Sequence, residues 1–238
     1  MPRHVFSFIV GGKAGQGVKT AGIVASRVFV EMGRDTFQND DYPSLIRGGH
    51  NFSVVSTAPG AISSHYMRAQ IVVALGKRSY ELHRDHLAPG GLMVYNSDEL
   101  GEAEGVGLPI SSEAKKYPLP DLRMGLAAAA VLCTALGLER EHLGGLVDWP
   151  YRRDVENNLA YALAIYEAAR PELLGRFSLA RGEGGGRLLG GSEAVALGAM
   201  AGGLDLYFAY PMTPTTSLLH FLASRSHKLG VTVVHPEN

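Results

Sequence analysis

In the stretch Tyr210-Pro211-Met212-Thr213-Pro214-Thr215-Thr216, two prolines enclose one methionine and one hydroxyl, that of Thr213. Proline fixes its own φ, so the turn has few conformations open to it. A hydroxyl carried on such a turn is held in place before any ligand arrives, as electrostatic stabilisation of a reacting group requires. The apolar run "LDLYFA" precedes the turn and reads as a strand, and a helical pattern follows it. Thr213 therefore falls at the C-terminal end of a strand in an α/β layout, where ligands tend to bind. A plain capping role explains the same residues, with Thr213 near the N-cap and Pro214 in the first helical turn. The residues alone leave both readings open.

A second patch, "GGKAGQGVKT" at 11–20, has the look of a nucleotide loop but fails both phosphate-binding patterns. Its spacing, Gly12-x-x-Gly15-x-Gly17, is not the G-x-G-x-x-G of dinucleotide sites. Gly12 and Gly17 have the separation of a phosphate-binding loop, but Val18 stands at the lysine position. Lys19 comes one residue late, about 100° round the helix. What remains is a glycine turn into a helix, either for packing or for an anion at the helix start. A third patch, "YPSLIRGGHNFSVV" at 42–55, presents Arg47, a planar donor fork, before two glycines. It suits a phosphate, a carboxylate or an interface equally. His83 and His86 share a helical face, but the sequence shows no third ligand near them, so a solvated face is expected and no metal site is assigned. The lone cysteine, Cys133, lies in the Ala-rich pattern "GLAAAAVLCTALG" and is expected to be buried and structural.

These patches need elements to hold them. "HVFSFIV" (4–10) is β-rich and ends at two glycines. The 18–33 stretch places Val18, Ala21, Ala25, Val28, Phe29 and Met32 on one helical face, with Gly33 at the C-cap. Further strands are expected at 51–57, 70–75 and 92–96, and helices at 77–87, 122–137, 139–147 and 153–170. This alternation predicts an α/β fold, a mainly parallel sheet with helices on both faces, over residues 1–174. Residues 175–190, "GRFSLARGEGGGRLLG", read as a glycine-rich flexible linker. Residues 191–238 repeat the α/β alternation, with a helix at 192–203, a strand at "LDLYFA", a helix at 215–230 and a strand at 231–235. This segment is too short to close a core, which predicts an incomplete second domain.

Composition narrows the function classes. Apolar residues make up 46% of the chain, enough for a core, and the net charge of -1 gives no footprint for nucleic acid or an anionic membrane. No apolar run approaches the roughly 20 residues of a membrane span, and the N-terminus reads as a first strand, so a cytoplasmic protein is expected. One cysteine excludes a disulfide framework and any iron–sulfur cluster held by this chain alone.

The glycine–glutamine–glycine opening and the Arg-Gly-Gly patch, "GGKAGQGVKTAG…YPSLIRGGHNFSVV", resemble the gamma domain of 2-oxoacid:ferredoxin oxidoreductases. "GSEAVALGAMAGGLDLYFAYPMTPTTSLLHFLA…VVHPEN" resembles the start of their alpha subunit, the thiamine-pyrimidine domain, whose hallmark carries isoleucine where this chain has Met212. The resemblance implies an alpha-type subunit with a gamma domain at 1–174 and the N-terminal part of the thiamine-pyrimidine domain at 191–238. It implies oxidative decarboxylation of a 2-oxoacid with thiamine diphosphate, coenzyme A as acyl acceptor and ferredoxin as electron acceptor. Thr213 and Glu237 would be catalytic, Glu237 as the carboxylate that activates the aminopyrimidine ring. Tyr210, Pro211 and Pro214 would line the cofactor. Gly15, Gln16, Gly17 and Arg47 would be binding residues of a lid or docking module. A beta-type partner subunit would carry the diphosphate site with its magnesium and the iron–sulfur cluster. The alternative is a non-catalytic assembly module or small-anion-binding protein of α/β fold.

Overall fold

The computed structural model describes residues 4–42, 49–148, 154–184, 186–213 and 215–236. The chain forms two compact units, Met1–Gly186 and Arg187–Asn238. The first holds, in chain order, β1 (Phe6–Lys13), α1 (Val18–Glu31), β2 (Asp35–Asp41), β3 (His50–Ala58), β4 (Ala69–Ala74), α2 (Lys77–His83), β5 (Leu87–Asn96), α3 (Ser97–Leu100), β6 (Val106–Leu108), α4 (Ile110–Ala114), α5 (Pro120–Ala135), α6 (His142–Asp148) and α7 (Val155–Leu173). A one-turn 3-10 helix, Arg84–His86, continues α2. The second holds α8 (Gly191–Ala201), β7 (Leu206–Phe208), α9 (Thr216–Ala223), α10 (Ser226–Leu229) and β8 (Thr232–Val234).

The six strands of the first unit run in the order β2-β3-β1-β4-β5-β6. β4 is parallel to β1 and β5, and β6 is parallel to β5, so the predicted parallel sheet is present. β2 and β3 add an antiparallel edge beside β1. Alternation along the strands sorts the core by face. Phe6, Phe8, Val10, Val55, Ile71, Val73 and Val94 meet α1, α5 and α7 on one side. Ile9, Val54, Val72, Ala74, Met93 and Tyr95 meet a thinner layer that includes Tyr80 of α2. Helices thus cover both faces, unequally.

α5 is the central helix of the thicker layer. Every residue from Arg123 to Ala135 is buried, because α1, α7 and the sheet enclose it. Its run of alanines lets those neighbours approach closely. Cys133 lies here, fully buried, and burial pushes its thiol up to about 12, so it stays protonated and inert.

Four elements were not expected from the sequence: β2, β6, α3 and α4. β2, "DTFQNDD", is almost wholly polar. It is a strand because it pairs with β3 along its whole length and its side chains have partners on α1 and β3: Ser26 of α1 donates to Gln38 (2.9 Å), and Ser53 of β3 to Asp40 (2.7 Å). α1 ends with Met32 as its C-cap, one residue before the expected Gly33, which follows in the left-handed conformation at φ 71°.

The glycine-rich stretch departs from a free linker over its first half. Phe177 N–H donates to Ala135 O (2.8 Å), and the Phe177 ring sits edge-on to Phe6 at 5.4 Å. Buried Arg34 donates to Ala180 O (2.6 Å), Gly182 N–H to Met32 O (3.1 Å) and Gly184 N–H to Gly33 O (2.8 Å). Low apolar content hid this strap, because its attachments are mostly backbone hydrogen bonds.

In the second unit β7 and β8 form a two-stranded parallel sheet. The single helix expected over 215–230 is two, α9 and α10. At the break the Arg225 guanidinium lies 4.1 Å from the Phe221 ring centroid, and Ser224 Oγ donates back to Phe221 O at 3.1 Å. Among the described residues no helix is long and apolar enough to cross a membrane.

Candidate functional site

The glycine turn at the end of β1 is built from the inside. Gly17 is the N-cap of α1, in the left-handed region at φ 74°, and Gly15 is also at positive φ. Gln16 between them is turned inward and buried. Its Oε1 accepts from Lys13 N–H (2.7 Å) and its Nε2 donates to Met124 Sδ (3.3 Å). Gln16 therefore pins the turn from within. α5 approaches the same turn so closely that a Cβ at Gly125 would lie 2.5 Å from Gly17 O. Packing thus holds Gln16 and Gly17, whereas Gly15 stands exposed, with open space where a Cβ would be.

Beside this turn, past the C-terminal ends of β1, β5 and β6, opens a crevice of about 370 Å³. This is the sheet edge where α/β folds place ligands. Its walls carry both signs of charge: Lys13 and Lys115 against Asp98, Glu99 and Asp121. Lys13 already pairs with Glu99 at 3.4 Å. Asp98 accepts from Ser112 N–H (2.7 Å) at the start of α4, and Asn96 donates to Ser111 Oγ (2.6 Å), so the rim is preset. Such a crevice suits a polar molecule with donors and acceptors better than a bare anion.

In the second unit Tyr210, Pro211, Met212 and Thr213 are all exposed and follow β7 directly. Met212 N–H donates to Tyr210 O (2.8 Å) and Thr215 Oγ1 to Met212 O (2.7 Å), which tightens the turn. The helix cap is Thr215, not Thr213: α9 starts at Thr216, and the Thr216 N–H reaches back to Met212 O. Capping thus does not explain Thr213, which is displayed at the strand end. Arg47, Pro214 and Glu237 lie outside the described residues.

One cluster escaped the sequence. His83 and His86 do have a third histidine beside them: His50, the first residue of β3. His50 Nε2 lies 2.8 Å from His83 Nε2, and His83 Nδ1 lies 3.1 Å from His86 Nδ1. A separation of 33 residues between His50 and His83 hid the contact. The cluster is not a three-histidine metal site, because His83 turns opposite ring nitrogens to its two neighbours. Among the described residues no group of three or more His, Cys, Asp or Glu is placed to hold a metal. Burial, then His50 and His86, push His83 down to about 3, so its ring is neutral at ordinary pH.

The profile of pyruvate ferredoxin/flavodoxin oxidoreductases matches residues 7–168, which is most of the chain. The chain belongs to this family. Within it, the chain is 24% identical to the 2-oxoglutarate synthase subunit KorC of Archaeoglobus fulgidus, over 69% of its own length and 88% of that subunit. It is 27% identical to subunit alpha of 2-oxoacid:ferredoxin oxidoreductase 2 of Aeropyrum pernix, over 46% of its own length and 17% of that subunit. The fold matches 2-oxoglutarate:ferredoxin oxidoreductase of Magnetococcus marinus, a structure with 2-oxoglutarate, coenzyme A and succinyl-CoA bound. There the TM-score is 0.82 at 22% identity, covering 99% of this chain and 44% of that one. It also matches a keto/oxoacid ferredoxin oxidoreductase gamma subunit of Geobacter sulfurreducens, with TM-score 0.59 and 20% identity over 69% of this chain and 96% of that one. The chain thus aligns along most of the length of two smaller subunits and along less than half of two longer chains.

Proposed function

We propose that this chain is an alpha-type subunit of a thiamine-diphosphate-dependent 2-oxoacid:ferredoxin oxidoreductase. In this reading the first unit is its gamma-type domain and the second the N-terminal part of the thiamine-pyrimidine domain. The observation that carries it is the exposed, proline-braced Tyr210–Thr213 turn at the C-terminal end of β7, in a chain whose first unit belongs to this family. The overall reaction converts a 2-oxoacid and coenzyme A to acyl-CoA and carbon dioxide, with two electrons passing to ferredoxin.

The turn offers a ring (Tyr210) and a hydroxyl (Thr213) on one short, constrained segment, a donor set that suits the edge of an aromatic cofactor. Thiamine diphosphate, when bound, supplies the electron sink for loss of carbon dioxide. Thr213 would hold a hydrogen bond beside the reacting centre, with Pro211 and Pro214 restricting its backbone. Glu237 would hold and move a proton at the aminopyrimidine ring. Of the described carboxylates in this unit, Glu193 is engaged at the start of α8, where Gly190 N–H donates to it at 3.0 Å. Diphosphate, magnesium and the iron–sulfur cluster fall to a beta-type partner. The single, buried cysteine supports that division. Gly15, Gln16, Gly17 and Arg47 keep a lid or docking role here, with Gln16 acting through the shape of the turn. The mixed charge of the crevice weighs against the alternative, a module that binds small anions.

The test is to purify the native complex through a tag on this chain. Iron, acid-labile sulfide and thiamine diphosphate should co-purify on a cysteine-rich partner. The complex should reduce ferredoxin only when a 2-oxoacid and coenzyme A are both present. A complex lacking thiamine diphosphate and inert toward every 2-oxoacid would overturn the reading.

A further inference from the structure

Ser79, His50, His83 and His86 are joined end to end. Ser79 Oγ lies 3.2 Å from His50 Nδ1, and the two histidine contacts given above complete the line. Ser79, His50 and His83 are buried, while His86 is only partly so. The packing holds the rings in place: Phe52 stacks on His50 at 5.8 Å and tilts against His83 at 4.8 Å. Beneath them is Gly11 of β1, where an added Cβ would come within 2.9 Å of the His50 ring.

A neutral imidazole has one N–H and one lone pair, so His83 donates through one nitrogen and accepts through the other. The chain therefore has two self-consistent senses. In the first, Ser79 O–H donates to His50 Nδ1, His50 Nε2–H to His83 Nε2, and His83 Nδ1–H to His86 Nδ1. In the second every bond is reversed: His86 Nδ1–H donates to His83, His83 Nε2–H to His50, and His50 Nδ1–H to Ser79. A charged His86 has both nitrogens protonated and can only donate. It permits the second sense alone.

We propose that these four residues form a tautomer relay, in which protonation of partly exposed His86 dictates which ring nitrogen of buried His50 carries hydrogen. The relay does not depend on the function proposed above. The hydrogens balance. The first sense holds four, on Ser79 Oγ, His50 Nε2, His83 Nδ1 and His86 Nε2. The second, with His86 charged, holds five, so one proton is taken up. When His86 is neutral, the first sense prevails, because it lets two of the three rings keep Nε2–H, the more stable tautomer of a free imidazole side chain. Other charges face the line. Arg78 on α2 disfavours charge on His50, Asp41 at the end of β2 favours it, and Lys13 of β1 stands opposite His50 in register. Arg84 and Asp85 flank His86 in the 3-10 turn and pair at 3.8 Å. The low basicity of His83 keeps the middle ring neutral, as the relay requires. The device links the surface to Ser79 and His50, directly under the strand that leads into the glycine turn.

Nitrogen-15 NMR of histidine side chains in the full chain, followed from pH 8 to pH 5, reads this tautomer. His50 is expected to be predominantly Nε2–H at pH 8 and Nδ1–H at pH 5, with His83 changing in the opposite direction. His86→Lys has a donor only, so it should fix His50 as Nδ1–H at both ends of the range. His86→Gln should remove the pH dependence while leaving the amide fingerprint of the sheet unchanged. A His50 tautomer that does not respond to pH, or that still responds in folded His86→Lys or His86→Gln protein, overturns the relay.

Discussion

Both units contain a strand, a constrained turn and a helix, yet the two turns are built in opposite ways. At β1–α1 the constraint comes from glycines, and the inner side of the turn is packed: Gln16 is turned inward, α5 presses on Gly17, and Phe8, Ile9 and Val10 of the strand are fully buried. At β7–α9 the constraint comes from proline, and the turn stands open, with Tyr210 55% and Met212 63% exposed. Only Ala196, Leu219, Leu222 and Val231 form the described buried apolar set of that unit. A turn shaped by its surroundings has side chains already committed to the fold. A turn shaped by its own covalent rigidity leaves a side chain such as Thr213 free for something else. Motif density alone does not separate the two cases; burial of the motif's polar atoms does.

Substitutions at the two turns and around them put this contrast to the test. The largest effect is expected from Gly125→Ala, since its Cβ would meet the backbone of Gly17 and Gln16, which cannot swing aside. Urea denaturation of the first unit should show a loss of about 1–3 kcal/mol, the usual cost of overpacking. Gln16→Ala comes next. It leaves the Lys13 N–H without its acceptor and should cost about 1–2 kcal/mol on the same measurement, as for other buried hydrogen-bonded groups.

The third effect is one of pH. Burial lowers His83 and His50 below the ordinary imidazole value, so the unfolded chain binds more protons than the folded one on the acid side. The first unit should therefore have this part of its stability in full above the unfolded histidine value of about 6.5. It should lose it progressively as pH falls toward about 3, the folded value of His83. Urea midpoints at pH 7, 6, 5 and 4 should fall along this course, with a shallower slope in His83→Gln. The smallest effect should come from Gly198→Ala in α8, where an added Cβ meets open space. It should stabilise the second unit by about 0.5–1 kcal/mol through helix propensity alone, measured by circular dichroism on heating.

Much of the first unit was legible because its signals are local. Val18, Ala21, Ala25, Val28 and Phe29 repeat with the helical period, and the apolar runs of β1, β4 and β5 stand between turn residues. What was not legible depends on distant partners. β2 is polar except for Phe37 and becomes a strand only beside β3. The strap at 177–184 is held largely by backbone groups and by Arg34, far away in sequence. His50 meets His83 only after β3 and α2 come together. At the candidate site, the place of Thr213 at a strand end followed from the strand-then-helix pattern, whereas the cap lies two residues further on, at Thr215. Thr215 competes for that role, and its hydroxyl bond to Met212 O cannot be read from composition. The inward turn of Gln16 also had no local sign, since its partner Met124 is 108 residues away.

Under the proposed function Thr213 on the open turn serves the reaction, whereas the glycine turn keeps its lid or docking role through a shape set largely by packing. Steady-state 2-oxoacid oxidation by the purified complex, compared between wild type and Thr213→Ala, tests it most directly. Thr213→Ala should lower kcat by at least about tenfold, the loss of one well-placed hydrogen bond to a reacting group. The urea midpoint should stay unchanged, because Thr213 is exposed. An unchanged kcat in a fully assembled complex would contradict the claim and remove Thr213 from the active site.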